Sequence, residues 1–130
     1  MKNLIRKILM ENIHNKIGFS KTYAFEKMEG EDFEMPVAAD FVSIDEKDLS
    51  RSDMELVDAW KERTNLKLST TEDNKIILYR GSNNPKLSPL QYLTHKMEEA
   101  RRYGPVHTYA LDPRDISWSY SEGSFLYEPR

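Results

Sequence analysis

Apolar residues recur at helical spacing at the start of the chain. Leu4, Ile5, Ile8, Leu9, Ile13 and Ile17 fall on one stripe, with Lys2, Arg6, Lys7 and Lys16 elsewhere. This predicts an amphipathic helix over residues 1–18, stopped at Gly18, that packs its apolar face on the rest of the chain. From 19 to 49 the period is lost. Phe25, Met28, Phe33, Met35 and Val37 are scattered among charges, and only 38–44 offers a short strand, so the expectation is irregular chain wrapped over the core. A second helix is better marked. Ser52 and Glu55 form a capping box, Leu56, Val57 and Trp60 make a buried stripe, and Thr64-Asn65 ends it.

Residues 66–69 and 76–79 flank turn chemistry at Asp73-Asn74 and predict a hairpin. Its second arm runs into Tyr79-Arg80-Gly81, after which Ser82-Asn83-Asn84-Pro85 is loop. Residues 88–104 admit two readings. Ser88-Pro89-Leu90-Gln91 has an N-cap, a proline at the first helical position and a glutamine three past the cap, so one helix to Gly104 would align Leu90, Leu93, Met97 and Ala100. Alternatively Tyr92-Leu93 is a short strand and Thr94 caps a helix from His95 to Tyr103. Beyond Gly104-Pro105 the period becomes two: a strand over 106–111, a turn over 112–115, alternation of Ile116, Trp118 and Tyr120 with serines, a tight turn at 121–123 and a last strand from Ser124 to Tyr127. Helices early and strands mostly late argue an α+β fold built on antiparallel strands.

A chain of 130 residues, 38% hydrophobic and 32% charged, is expected to be one globular domain with one core. No apolar run approaches the roughly 18 residues that span a bilayer, and Arg6 and Lys7 break the early run, so neither a membrane partner nor a secretory signal is expected. The absence of cysteine excludes a disulfide framework, thiolate zinc and a thiol nucleophile, and makes a cytoplasmic protein the expectation. His14, His95 and His107 have no metal-ligand spacing, and no metal is expected.

Charge is segregated. Residues 1–25 hold five basic and one acidic side chain, 26–58 three basic and twelve acidic, and 59–130 eleven basic and nine acidic. The acidic middle reads as a solvated face, or more sharply as a surface that mimics nucleic acid to occupy a basic groove. Trp60 reads as a core anchor, because no basic-aromatic interleaving surrounds it, and nucleic acid is not expected as a direct partner. The most pointed chemistry is Arg80. An apolar strand that ends in Arg-Gly fixes a planar guanidinium that can meet phosphate oxygens bidentately. The plain alternative is a solvated arginine at a turn.

Leu78-Tyr79-Arg80-Gly81, then Tyr92-Leu93-Thr94, then Ala100-Arg101-Arg102-Tyr103-Gly104, then residues 106–113 ending Asp112-Pro113, follow one another in an order that resembles the ADP-ribosyltransferase fold of the Arg-Ser-Glu class. The resemblance covers about 75–127 and places the sheet region at 66–127. It implies a break between strand and helix at Thr94. It also implies that Arg80 holds a phosphate or ribose of NAD, that Gly81 lies against the nicotinamide carboxamide, that Thr94 braces the site, and that Tyr79 and Tyr103 line or stack on the ligand. NAD would be consumed as substrate, with ADP-ribose passed to a host or defence macromolecule. The family's Glu-x-Glu or Gln-x-Glu stands here as Glu122-Gly123-Ser124, so serine occupies the catalytic position and Glu122 becomes the candidate acid, with Glu128 a poorer one. If no acid substitutes, a binding protein on the same fold is the alternative. The N-terminal segment also looks like the capsid-targeting openings of some tailed-phage proteins, and Leu9-Met10-Glu11 resembles the site cut by phage head proteases. That would make the chain a phage or mobile-element effector acting in host cytoplasm.

Overall fold

Alternation of large and small residues late in the chain produces strands, and those strands organise the molecule. The computed structural model describes residues 16–27 and 34–130. The chain runs through β1 (Phe19–Lys27), β2 (Glu34–Ile44), a 3-10 turn (Glu46–Asp48) and α1 (Asp53–Thr64). It continues through β3 (Ile76–Gly81), β4 (Tyr92–Leu93), α2 (Met97–Arg101), β5 (Val106–Leu111), β6 (Ile116–Ser119) and β7 (Ser124–Tyr127). The result is an α+β architecture with a five-stranded sheet in the order β1-β2-β6-β7-β4 and a two-stranded sheet β3-β5. Every strand pairing is antiparallel. Among the described residues no helix is long and apolar enough to cross a membrane.

Pleating sorts β6 and β7 onto two faces. Ile116, Trp118 and Phe125 join Val42, Ile44, Leu93 and the α1 stripe of Leu56, Val57 and Trp60 in the main core. Aromatic rings fill its centre: Trp60 meets Phe19 edge-on at 5.0 Å and Phe125 at 5.9 Å, and Trp118 lies 4.8 Å from Phe125. A buried indole needs a partner for its N–H. Trp60 Nε1–H donates to the Pro113 carbonyl at 2.7 Å, tying α1 to the turn between β5 and β6. Helix α1 is bounded as its sequence predicts. The Ser52 hydroxyl accepts from the Glu55 N–H at 3.2 Å, and Asn65 ends the helix with a left-handed φ of 56°.

Several expectations are corrected. Residues 19–49 are not irregular wrapping: β1 and β2 pair from Phe19↔Ile44 to Lys27↔Glu34, with a register irregularity between Thr22 and Ala24. The pairing overrides the missing period because β2 is a central strand, joined to β6 at Phe41↔Ser119 and Val42↔Trp118. The hairpin expected from 66–69 and 76–79 reduces to one bridge, Thr70↔Ile76, and the partner of β3 is β5. Of the two readings of 88–104, the single helix is overturned and the break between a Tyr92-Leu93 strand and a following helix is found. Pro89 and a left-handed Leu90 (φ 66°) turn the chain into β4, and α2 begins only at Met97, after Lys96. The amphipathic helix expected over 1–18, with the Leu9-Met10-Glu11 site, lies outside the described residues except at its end. There 16–18 have no regular structure, and Ile17 is buried in the core.

A turn that looked like loop punctuation proves structural. Arg114 Nε donates to the Leu49 carbonyl at 2.7 Å and Nη2 to the Arg51 carbonyl at 2.7 Å, while Nη1 meets Asp53 at 2.6 Å and Asp112 at 3.0 Å. Burial works to raise the Asp112 pKa, but hydrogen bonds from Arg114 and Lys75 outweigh it and hold the carboxyl below its ordinary range. Arg114→Ala removes these bonds at a partly buried site and is expected to cost about 2–4 kcal/mol in urea unfolding. Because the folded pKa of Asp112 is depressed, its contribution is present at neutral pH and is lost as pH falls below about 4–5. Asp112→Asn is therefore expected to flatten the acid limb of the stability-pH curve, whereas an unchanged limb would contradict the assignment.

Candidate functional site

The two sheets share one core, and among the described residues their main chains are joined at one bridge. Tyr79 N–H donates to the Thr94 carbonyl at 2.8 Å and Thr94 N–H to the Tyr79 carbonyl at 2.9 Å, a bridge between β3 and the end of β4. Beyond it the strands go to different partners: Arg80 and Gly81 pair with His107 and Val106 of β5, while Tyr92 and Leu93 pair with Leu126 and Phe125 of β7. The parting leaves a cleft of about 400 Å³, within the range of small-ligand pockets.

The structure brings six of the sequence-predicted site residues to this cleft and leaves the poorer candidate acid, Glu128, outside it. Tyr79, Arg80, Gly81, Thr94, Tyr103 and Glu122 line it. Arg80 reaches across the parting, its Nη1 donating to the Tyr92 carbonyl at 2.8 Å. That bond orients the guanidinium and commits only part of its donor fork. Thr94 contributes its backbone to the bridge, and its hydroxyl accepts from the Lys96 N–H at 3.2 Å. This hydroxyl turns the chain ahead of α2 and does not cap the helix, whose N-cap is Lys96 without a side-chain bond. Tyr103 is 76% exposed, so its ring stands open to a ligand or to solvent.

Gly81 has a reason beyond a ligand. A Cβ there would fall 1.8 Å from the Ala100 carbonyl oxygen and 2.9 Å from its carbon, because α2 sits directly on the end of β3. The missing side chain is therefore what lets α2 form one wall. Glu122 comes from the other wall, on the turn between β6 and β7. Its N–H donates to the Ser119 hydroxyl at 3.2 Å, Gly123 N–H to the Ser119 carbonyl at 2.9 Å, and Gly123 takes a φ of +63° that glycine adopts readily. Ser124 also faces the cleft, and its hydroxyl approaches the Glu122 carbonyl at 3.4 Å. Glu128, the poorer candidate acid, lines a different depression, with Ser20, Thr22 and Arg130.

Four lining residues escaped sequence reasoning: Tyr92, Leu93, Glu99 and Ala100. Their signals are faint. Leu93 points to the core, so in a strand its neighbour Tyr92 must face the opposite side, where it is 42% exposed. Glu99 sits in α2 and Tyr103 lies two residues past its end, on a turn whose Tyr103 N–H donates to the Ala100 carbonyl at 3.1 Å. Nearby, burial lowers the His95 pKa, the Lys96 charge lowers it further, and Glu99 offsets part of this. Chemically, the cleft offers a guanidinium for an anion, carboxylates for a cation and exposed rings for a planar group. Comparisons of the chain with protein-family models, curated proteins and solved structures find no match.

The wedge at Gly81 gives a direct test. Gly81→Ala must push α2 off β3 and is expected to cost about 1–3 kcal/mol, as overpacking does. Gly123→Ala faces open space and carries only the strain of its positive φ, about 1 kcal/mol. Urea midpoints for the two variants should fall in that order. Equal midpoints would mean that α2 does not rest on Gly81.

Proposed function

We propose that the cleft binds NAD and that the chain is an ADP-ribosyltransferase-like effector, passing ADP-ribose from NAD to a macromolecular target. The observation that carries this reading is the convergence of Arg80, Gly81, Thr94, Tyr103 and Glu122 on one cleft, although they span more than forty positions of sequence. Two antiparallel sheets that part next to Arg80 fit the ADP-ribosyltransferase-like fold which the order of motifs implies. In the proposed reaction Arg80 holds phosphate or ribose, Gly81 and the tyrosines hold the nicotinamide end, and Thr94 braces the wall. The bond from ribose C1′ to the nicotinamide nitrogen breaks, and its electron pair leaves with nicotinamide. A nucleophile of the target then forms the new bond to C1′ and gives up its proton to base or solvent. Positive charge develops on the ribose, and Glu122 is the carboxylate proposed to stabilise it electrostatically.

A second reading is favoured by one feature, Ser124, which stands where the resemblance calls for the catalytic carboxylate and lies in the cleft. On that reading the chain is a binding protein that has kept the shape of the site. Its acidic-mimic form is weakened by the described part of the acidic segment. Asp53 pairs with Arg114, Glu55 and Asp48 pair with Arg51, and Asp48 also accepts the Gly18 N–H, so these charges are spent internally.

Incubation with labelled NAD and host lysate, together with a nicotinamide-release assay, separates the two. Arg80→Ala is expected to lose about tenfold or more in NAD affinity, a charge-assisted contact of about 1.5–3 kcal/mol, with Arg80→Lys recovering part. Glu122→Gln is expected to keep NAD binding and to lose about 100-fold in turnover, and Ser124→Glu to raise it. Equal NAD affinity in wild type and Arg80→Ala would sink the binding assignment. NAD binding without turnover in any variant, Ser124→Glu included, would favour the binding protein.

A further inference from the structure

Among the described residues, the charged side chains that line the cleft are one guanidinium, Arg80, and two carboxylates, Glu99 and Glu122. This is an unusual set for a site that takes only anions. A polyanionic ligand would gain one attraction and meet two like charges, whereas a ligand with phosphate at one end and a cationic ring at the other satisfies both signs. Neither carboxylate forms a salt bridge among the described residues.

The two carboxylates differ in how they are held. Glu99 precedes Ala100, whose backbone is wedged against Gly81, so its position is fixed to the strand that carries Arg80. Glu122 belongs to the other sheet and rides on a turn through Gly123. A charge on a fixed backbone discriminates better than one on a turn, because only its side chain must then be ordered against the attraction.

On the reading that the cleft is an NAD site, we propose that Glu99 is a specificity-determining residue, selecting the oxidised dinucleotide, whose nicotinamide ring is cationic, over the reduced form, whose ring is neutral. No bond is made or broken in this step. Selectivity follows from one Coulombic attraction that the oxidised ligand has and the reduced one lacks. Glu99 is exposed, so Glu99→Gln keeps the shape and hydrogen-bonding reach of the side chain and removes only its charge.

The test is equilibrium dialysis with NAD and, separately, NADH, on wild type, Glu99→Gln and Glu122→Gln, at low salt and again at 0.5 M salt. Wild type is expected to prefer NAD by about two- to fivefold, the scale of a solvent-accessible ion pair. The preference should vanish in Glu99→Gln through weaker NAD binding at unchanged NADH affinity, survive in Glu122→Gln, and shrink with salt. Equal binding of both forms by wild type overturns the role of Glu99 while leaving the NAD reading intact. So does a preference that survives in Glu99→Gln, one abolished only in Glu122→Gln, or an equal loss of both ligands in Glu99→Gln. Failure of wild type to bind either dinucleotide overturns the NAD reading and this role with it.

Discussion

The paired main-chain bonds between Tyr79 and Thr94 are the constraint on which the candidate site depends. They fasten β3 to β4 at one residue on each strand and no further. A longer ladder would zip the sheets together and fill the space beside Arg80. With no bridge, nothing would set the register of Arg80 against the opposite wall. The guanidinium completes the joint by bonding the Tyr92 carbonyl across the gap, and Gly81 lets α2 close one side. A short strand of two residues is enough for β4 because its other edge is held by β7.

The opposite wall is fixed from a distance. Trp60, and Arg114 through Asp53, anchor the turn between β5 and β6 to α1, and that turn sets where β6 starts. At the far end of β6 the guanidinium of Arg63 lies 5.1 Å from the Phe19 ring and 5.3 Å from the Tyr120 ring, so α1, β1 and the Glu122 turn are stacked through one cation. Helix α1 contributes nothing to the lining of the cleft, yet it holds both ends of the strand that leads to Glu122. This division fits a general pattern in which a packed scaffold positions reactive groups carried on turns and strand ends.

What could be read from sequence follows from which forces are local. Helix α1 was legible because Ser52, Glu55 and Asn65 mark its ends by local hydrogen bonding and backbone angle. Strands β5 and β6 were legible because their sequences alternate and β7 because it follows a tight turn, although β6 is buried on both faces, Ser117 and Ser119 included. β1 and β2 were not, since charges interrupt their period and it is mutual pairing that makes them strands. The helix start at Ser88 satisfied every local rule and still failed. There Leu90 N–H bonds the Tyr127 carbonyl and Tyr127 N–H the Gln91 carbonyl, so pairing with β7 outweighs local capping. Arg80 was legible as chemistry because an apolar strand ended on a cation. The place of Glu99 in the lining was hidden because it comes from Ala100 resting on Gly81, a contact between residues almost twenty positions apart.

Backbone amide NMR during titration with NAD tests most directly whether the parting of the sheets is the ligand site. The expected result is a saturable shift of the amides of Tyr79, Arg80 and Gly81, of Thr94, of Glu99 to Tyr103 and of Glu122 to Ser124, with α1 and the turn at Arg114 unmoved. Amides that stay in place at millimolar NAD, or shifts confined to surfaces away from the Tyr79–Thr94 bridge, would contradict it.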